Sequence, residues 1–301
     1  MSQVVLVKEV APRDGLQAQS VEITLAQRAE LIGALVAANV PELEIGSFVS
    51  PKAVPQMAGT DQLASDLPTG NSRFSALVPN MKGYELACQT GLQRLAIVVS
   101  ATEQMNQNNI RKSLNDTFLM ADDILTRAAA EGIEIHAYLA VAFECPYEGL
   151  VAESTVLDQA RQLMASKPAR LVIADTIGAA NPRAVKSLMS QLVNEFGSDA
   201  LGCHFHDTRA MGLANVYSAL ESGVRQFDSA AGGLGGCPFA PGAKGNVATE
   251  DVVMLCESMG LNTGVDLKAL LEAVSLITKI IGREQGGRSH SWLKHHWEKL
   301  V

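Results

Sequence analysis

No run of about 18 uninterrupted apolar residues, the length of a membrane span, occurs in the 301-residue chain. Positive charge is also in short supply. The chain has 24 Lys and Arg against 32 Asp and Glu, a formal net charge of −8. That balance excludes nucleic acid as the main partner, because phosphate-backbone binding needs a basic face. A phosphorylated ligand needs only a local cationic patch, so that class stays open. The five cysteines (Cys88, Cys145, Cys203, Cys237 and Cys256) are odd in number, widely spaced and without a CxxC pair. This excludes a disulfide framework and a cysteine zinc site. No Pro- or Ser-rich linker marks a second domain. The N-terminus has no basic n-region, h-region or cleavage site; Met1-Ser2-Gln3-Val4 leads straight into an apolar segment, and the expected location is cytoplasmic.

What is present is strong alternation of strand-like and helix-like segments. Eight short apolar or β-rich runs stand out: Val4–Val10, Leu43–Phe48, Phe74–Pro79, Arg94–Ser100, Ile133–Val141, Arg170–Thr176, Leu201–Asp207 and Gln226–Ala231. Apolar residues at helical spacing lie between them, such as Leu157, Ala160, Leu163 and Met164, or Val185, Leu188, Met189 and Leu192. Eight strand–helix units predict an α/β fold with a parallel sheet closed into a (β/α)8 TIM barrel. An open doubly wound sheet is the alternative, and the regularity of eight units favours closure. The expected division is a catalytic barrel over residues 1–265 and a helical extension over residues 266–301, packed on the barrel and not a separate domain.

The unusual residues gather where strands end: EVAPRDG at Glu9–Gly15, EIGSFVSP at Glu44–Pro51, CPYEG at Cys145–Gly149, DTIG at Asp175–Gly178, HFHD at His204–Asp207, and Gly232–Asn246. In barrel enzymes the active site lies at this C-terminal rim.

His204 and His206 are one residue apart, so on a strand both imidazoles share a face. Alone, such a pair reads as two hydrogen-bonded core histidines. Here Asp14, after the first strand, adds a carboxylate, and Asn246, after the eighth, adds an amide oxygen; strands one, seven and eight are neighbours in a closed barrel. The four residues predict a divalent-cation site with open positions. Alternation turns Asp207 away from the mouth, a structural role. His136 reads as core, and His290, His295 and His296 as a solvated helix face.

The segment Gly232–Asn246 is neither a P-loop, since Lys244 is followed by Gly245, nor a dinucleotide fingerprint. Its glycines suit a loop that folds over a ligand. Cys237, between Gly236 and Pro238, suits a proton-transfer group on a mobile lid, whereas a covalent nucleophile is the weaker reading because no histidine adjoins it in sequence. Cys145 reads as structural.

Taken in order, PRDGLQ (Pro12–Gln17), SFVSPKAVPQM (Ser47–Met57), CPYEG, DTIG, HFHDT (His204–Thr208) and GLGGCPFAPGAKGNVATED (Gly233–Asp251) resemble the signature segments of the 3-hydroxy-3-methylglutaryl-CoA lyase family. The resemblance implies a retro-aldol or Claisen-type cleavage of an acyl-CoA substrate, with Mg2+ or Mn2+ held by Asp14, His204, His206 and Asn246. It further implies that Arg13 stabilises the thioester enolate oxygen, that Glu44 and Asp175 support the metal site and substrate, and that Cys237 takes part in proton transfer. Cys237 and an imidazole both remain open as the first base. A homo-oligomer is compatible with the resemblance. Two segments depart from the family pattern: Asn106–Ser113, and Glu144, which stands where a glycine is common. Both lie at the predicted rim, so they bear on contacts to the substrate side chain or to CoA. A lyase for citramalyl-CoA or a longer-chain analogue is therefore the main alternative, ahead of a condensing synthase or a catalytically inactive metal-binding barrel.

Overall fold

Residues whose side chains alternate between an aliphatic outer face and a polar inner face build the eight strands of the barrel. A computed structural model describes residues 4–236 and 245–296. The strands are β1 (Leu6–Glu9), β2 (Glu42–Ser47), β3 (Arg73–Leu77), β4 (Arg94–Ser100), β5 (Glu134–Ala140), β6 (Arg170–Asp175), β7 (Leu201–Phe205) and β8 (Gln226–Ser229). They pair in parallel in the order β1-β8-β7-β6-β5-β4-β3-β2, and β1 closes the circle on β8 with Leu6 opposite Gln226 and Glu9 opposite Ser229. The fold is a (β/α)8 barrel.

Outward-facing Val7, Leu43, Ile45, Leu95, Ile97, Leu171, Ile173 and Phe227 join the main hydrophobic core beneath the helices. The lumen holds a small apolar cluster of Ala96, Tyr138 and Val172, with Leu77 and Val98 against it. Lys8, Glu44, His204 and Asp228 are among the buried polar residues that share the lumen. At the N-terminal end of the barrel, Glu42 of β2 faces Arg94, His136 and Arg170 of β4, β5 and β6 at 3.4–3.8 Å. Burial, and then the positive charge of Lys8 and the nearby arginines, holds His136 well below the usual imidazole range, so it is a neutral core residue.

Local signals set the helix ends. Thr24 and Gln27 cap each other at the start of helix Leu25–Ala37. Asn181 caps helix Pro182–Phe196, where proline takes the first position. Asp266 caps helix Leu267–Ile281, which lies against helix Leu25–Ala37. A further helix occupies His290–His296. No helix among the described residues is long and apolar enough to cross a membrane.

The sequence runs match these strands closely, and β4 coincides with its run end to end. The seventh run is the informative exception. It extends to Asp207, but the parallel ladder stops at Phe205 because His206 takes a new, antiparallel partner in Asn246. Asp207 N–H donates to Gly245 O at 3.0 Å and Val247 N–H to Phe205 O at 3.0 Å, while Ala230 bridges Ala248. Residues 245–248 thereby dock between the ends of β7 and β8.

Candidate metal centre and active site

Beyond β1, the chain enters a π-helical turn over Ala11–Gly15, with Gly15 N–H returning to Val10 O at 3.2 Å. Proline supplies the fixed φ of the first turn. This turn brings Arg13 and Asp14 over the mouth. Asp14 Oδ2 accepts a hydrogen bond from Asn246 Nδ2 at 2.8 Å and lies 3.7 Å from His206 Nε2. His206 Nε2 is 3.1 Å from His204 Nε2. Among the described residues, Asp14, His204 and His206 form a group able to hold a metal ion, with ligand atoms all within 4.8 Å of one another.

Asn246 reaches this group through the docked segment described above. Its approach requires glycine on both sides: a Cβ on Gly245 would lie 2.6 Å from the backbone of Gly235, and a Cβ on Gly235 would lie 2.9 Å from Asn246 Nδ2. Gly235 also has φ of +145°, which L side chains rarely adopt.

The four residues extend into a closed circuit of polar contacts inside the lumen. Arg13 Nη1 donates to Asp14 Oδ1 at 2.5 Å, and Arg13 Nε donates to Glu44 Oε2. Lys8 Nζ donates to Glu44 Oε1 at 2.9 Å and to Tyr138 Oη at 3.0 Å. Tyr138 donates to Asp228 Oδ2 at 2.7 Å, and Asp228 Oδ2 lies 3.1 Å from His204 Nδ1. His204 and His206 complete the path back to Asp14. The Lys8–Tyr138 bond crosses the lumen, since β1 and β5 stand on opposite walls.

The circuit is buried apart from Asp14, whose side chain is 21% exposed. Burying this many charges costs free energy that their pairing only partly returns, which marks a functional site more than a stability device. Burial alone would lower the Arg13 pKa, but Glu44 and Asp14 outweigh it and keep the guanidinium charged. Burial opposes ionisation of Asp14 too, and the adjoining Arg13 and the histidines hold its carboxyl well below the usual range. Glu44 follows the same pattern, with Arg13 and Lys8 prevailing over desolvation, and so does Asp228, with His204 and Lys8. Tyr138 goes the other way: burial, then Asp228 and Glu44, push its phenol well above 10, so it remains a neutral donor. Burial alone would lower the His204 pKa, and Asp228 and Asp14 outweigh it and raise it.

These features fit a divalent cation. Two ligands at right angles, each about 2.1 Å from an ion, stand about 3 Å apart, close to the 3.1 Å between the two Nε2 atoms. Asp228 accepts the Nδ1 proton of His204, so the lone pair on Nε2 faces the cluster. Asn246 Nδ2 donates to Asp14 and to Leu234 O, leaving Oδ1 buried without a hydrogen-bond partner among the described residues. Such an oxygen is costly unless something satisfies it.

The remaining sequence-predicted residues divide. Arg13 and Glu44 belong to the circuit. Asp175, at the end of β6, turns its carboxylate onto its own loop, accepting from Ala179 N–H at 2.8 Å and Ala180 N–H at 3.1 Å. Burial raises its pKa against those bonds, and it senses the histidines only through space. Cys237 lies outside the described residues. Cys145 is buried and accepts a hydrogen bond from Thr102 at 3.0 Å, a structural position. Asp207 accepts from Gly212 N–H and pairs with Arg288, away from the cluster. His290 differs from the solvated face expected of it, being partly buried 3.8 Å from Glu250. In the departing segment Asn106–Ser113, the Asn106 side chain is buried and donates to Lys112 O and Ser113 O, clamping the turn.

Lys8, Tyr138 and Asp228 were not singled out by sequence reasoning. The available signal was a charged or phenolic residue on the inward parity of an apolar strand: Asp228 sits opposite His204 in the β8–β7 ladder, and Tyr138 lies two residues beyond His136.

Fold and site together define a barrel protein with a cluster able to hold a metal ion at its C-terminal rim. A sequence profile of the HMGL-like family matches residues 5–277, and the chain belongs to that family. Hydroxymethylglutaryl-CoA lyase of Pseudomonas mevalonii is 40% identical over 288 residues, covering 95% of this chain and 96% of that protein. The (R)-citramalyl-CoA lyase of Chloroflexus aurantiacus is 39% identical over 292 residues, covering 93% and 92%. A solved HMG-CoA lyase from Acinetobacter baumannii, in complex with coenzyme A and 3-methylmalate, superposes with a TM-score of 0.92 at 34% identity, covering 97% of this chain and 95% of that one.

Proposed function

We propose that this protein is a divalent-metal-dependent carbon–carbon lyase that cleaves 3-hydroxy-3-methylglutaryl-CoA to acetyl-CoA and acetoacetate. The observation that carries the reading is Arg13, a buried charged guanidinium bonded to Asp14 of the metal-ligating group. It joins a cation site and an anion-stabilising group at one point of the rim. The relatives' names support the substrate class, and the coenzyme A bound to the Acinetobacter enzyme supports a thioester.

In this reading Asp14, His204 Nε2, His206 Nε2 and Asn246 Oδ1 hold Mg2+ or Mn2+. Such an ion supplies Lewis acidity toward a tertiary alcohol that is otherwise about as weak an acid as water. A base at the rim, the Cys237 sulfur or an imidazole, takes the hydroxyl proton as the bond between the α and β carbons breaks; the bond's electron pair enters the thioester enolate, and the carbinol carbon becomes the ketone of acetoacetate. Arg13, fixed by Glu44, stabilises the enolate oxygen. Cys237 delivers the proton that turns the enolate carbon into the methyl group of acetyl-CoA. Asp228 orients His204, Lys8 and Tyr138 hold Glu44 and Asp228 in place, and Asp175 braces the rim beside the histidines. Barrel and C-terminal extension act as one catalytic unit.

Citramalyl-CoA is the second reading, favoured by the almost equal similarity to the Chloroflexus enzyme. The test is a panel of 3-hydroxy-acyl-CoA thioesters incubated with Mg2+ or Mn2+, with products identified by mass spectrometry. Acetoacetate and acetyl-CoA from 3-hydroxy-3-methylglutaryl-CoA are expected. Pyruvate and acetyl-CoA from citramalyl-CoA alone would move the substrate and keep the reaction class. No cleavage of any member would overturn the lyase reading.

A further inference from the structure

Across the end of β6 runs an ion pair that the reaction scheme leaves unused. Arg209 Nη2 donates to Glu144 Oε1 at 2.8 Å and Nη1 to Oε2 at 3.3 Å. Glu144 begins a two-residue hairpin, Glu144–Cys145 with Gly149–Leu150, beyond β5, and Arg209 stands three residues past His206 beyond β7. Since β5 and β7 flank β6, the pair arches over Asp175 on the histidine side of the mouth. The Arg209 charge is favoured first by the hydrogen bond to Glu144 and, more weakly, by the Asp175 carboxylate. Asp175 in turn senses His204 and His206. Asp175 thus lies within electrostatic reach of both the histidines and the Arg209 guanidinium.

Stability does not account for this pair. Its side chains are 48% and 26% exposed, a setting where ion pairs contribute little. Yet both arms rise from left-handed backbone: Val141, a buried β-branched residue three positions before Glu144, has φ of +51°, and Ala210, directly after Arg209, has φ of +58°. Such conformations are strained in residues other than glycine and tend to cluster at functional sites. The hairpin is also pinned, through Cys145 to Thr102 and through Phe143 O to Val151 N–H. The Glu144 arm is therefore fixed, and the Arg209 fork already grips its carboxylate by both oxygens, the geometry in which arginine recognises a carboxylate ligand. Asp175 does not compete for the fork, being satisfied by Ala179 and Ala180.

We infer, resting on the lyase reading, that Arg209 is the receptor for the free carboxylate at the far end of the acyl chain, and that Glu144 occupies the fork until substrate displaces it. Arg209 is then a specificity-determining residue: it selects acyl-CoA thioesters whose acyl group ends in an anion over neutral acyl-CoA of the same length.

Two unreactive thioesters test this without turnover. Glutaryl-CoA carries the distal carboxylate and valeryl-CoA, of equal length, does not; their binding to the full-length, metal-loaded protein is measured by calorimetry. Arg209→Gln is expected to weaken glutaryl-CoA by about tenfold or more, the loss of a charge-assisted bidentate contact, and to leave valeryl-CoA within about twofold. The double variant Glu144→Gln/Arg209→Gln removes the repulsion of an uncovered Glu144, and glutaryl-CoA should stay weak there. Arg209→Lys should recover part of the affinity. Equal weakening of both thioesters, no weakening of either, or wild-type glutaryl-CoA affinity in the double variant would each overturn the inference. Failure of the lyase reading is separately visible, as a wild-type protein that cleaves no 3-hydroxy-acyl-CoA.

Discussion

His204 Nδ1 lies 3.1 Å from Asp228 Oδ2, and that contact fixes which nitrogen of the imidazole faces the metal-ligating group. The same carboxylate oxygen accepts the Tyr138 hydroxyl, so the orientation of one ligand is braced from β5, two strands around the barrel from β7. Groups that orient a ligand in this way typically change metal affinity when altered. Asp228→Asn is expected to weaken Mn2+ binding by about ten- to a hundredfold while the far-ultraviolet circular dichroism stays unchanged. Unaltered Mn2+ affinity would show that Asp228 does not set His204.

Arg13→Gln separates charge stabilisation from metal binding. Removing the guanidinium leaves Asp14 and Glu44 without their nearest cation, so Mn2+ affinity should be retained or increased. Turnover should fall by roughly two to three decades, the usual cost of about 3–4 kcal/mol for one transition-state anion stabiliser. A variant with near wild-type kcat/KM rejects the assignment.

Cys237→Ser addresses proton delivery. The metal-induced rise in melting temperature should persist, because binding to the native state alone stabilises it whether or not turnover follows. Loss of acetyl-CoA release is expected, and full activity would remove the thiol as the proton source.

Stability should respond to pH through two carboxyls near the glycine-rich segment. Burial pushes Glu9 up to about 7, despite hydrogen bonds from Thr249 and from the Ala11 and Ala231 amides. Burial does the same to Glu250, also to about 7, against backbone hydrogen bonds that include Gly287 and Gly232. A carboxyl whose pKa is raised on folding binds its proton more tightly in the native state. Its contribution is therefore complete below about 4.5, the unfolded value, and is lost as pH rises through about 7. Urea unfolding at pH 5.5 and 8.0 should show wild type losing stability, and Glu9→Gln losing less. Equal losses in the two proteins would remove Glu9 as a source.

The fold was legible because its code is local. In Arg94–Ser100, inward Ala96 and Val98 alternate with outward Leu95, Ile97 and Val99, and strand and sequence run coincide there. The site was legible only where chemistry is packed into a short motif, as in the Arg13-Asp14 step and the His204–His206 alternation. The Lys8–Tyr138 and Tyr138–Asp228 bonds join residues 130 and 90 positions apart, and nothing local in the chain announces such partners. The end of β7 was misjudged for a similar reason: His206 leaves its ladder for Asn246, forty residues away, and periodicity carries no record of that exchange. Asp175, read as a supporting residue for metal and substrate, spends its hydrogen bonds on its own loop, a choice made by backbone geometry that the DTIG motif does not reveal.

The antiparallel seam between His206 and Asn246 makes the cation site and the anchoring of residues 245–248 thermodynamically reciprocal. Whatever tightens one must tighten the other by an equal free energy. The Asp207 and Val247 amides, whose hydrogen bonds cross that seam, therefore serve as built-in reporters: their solvent exchange should slow when the ion arrives, before any substrate is present.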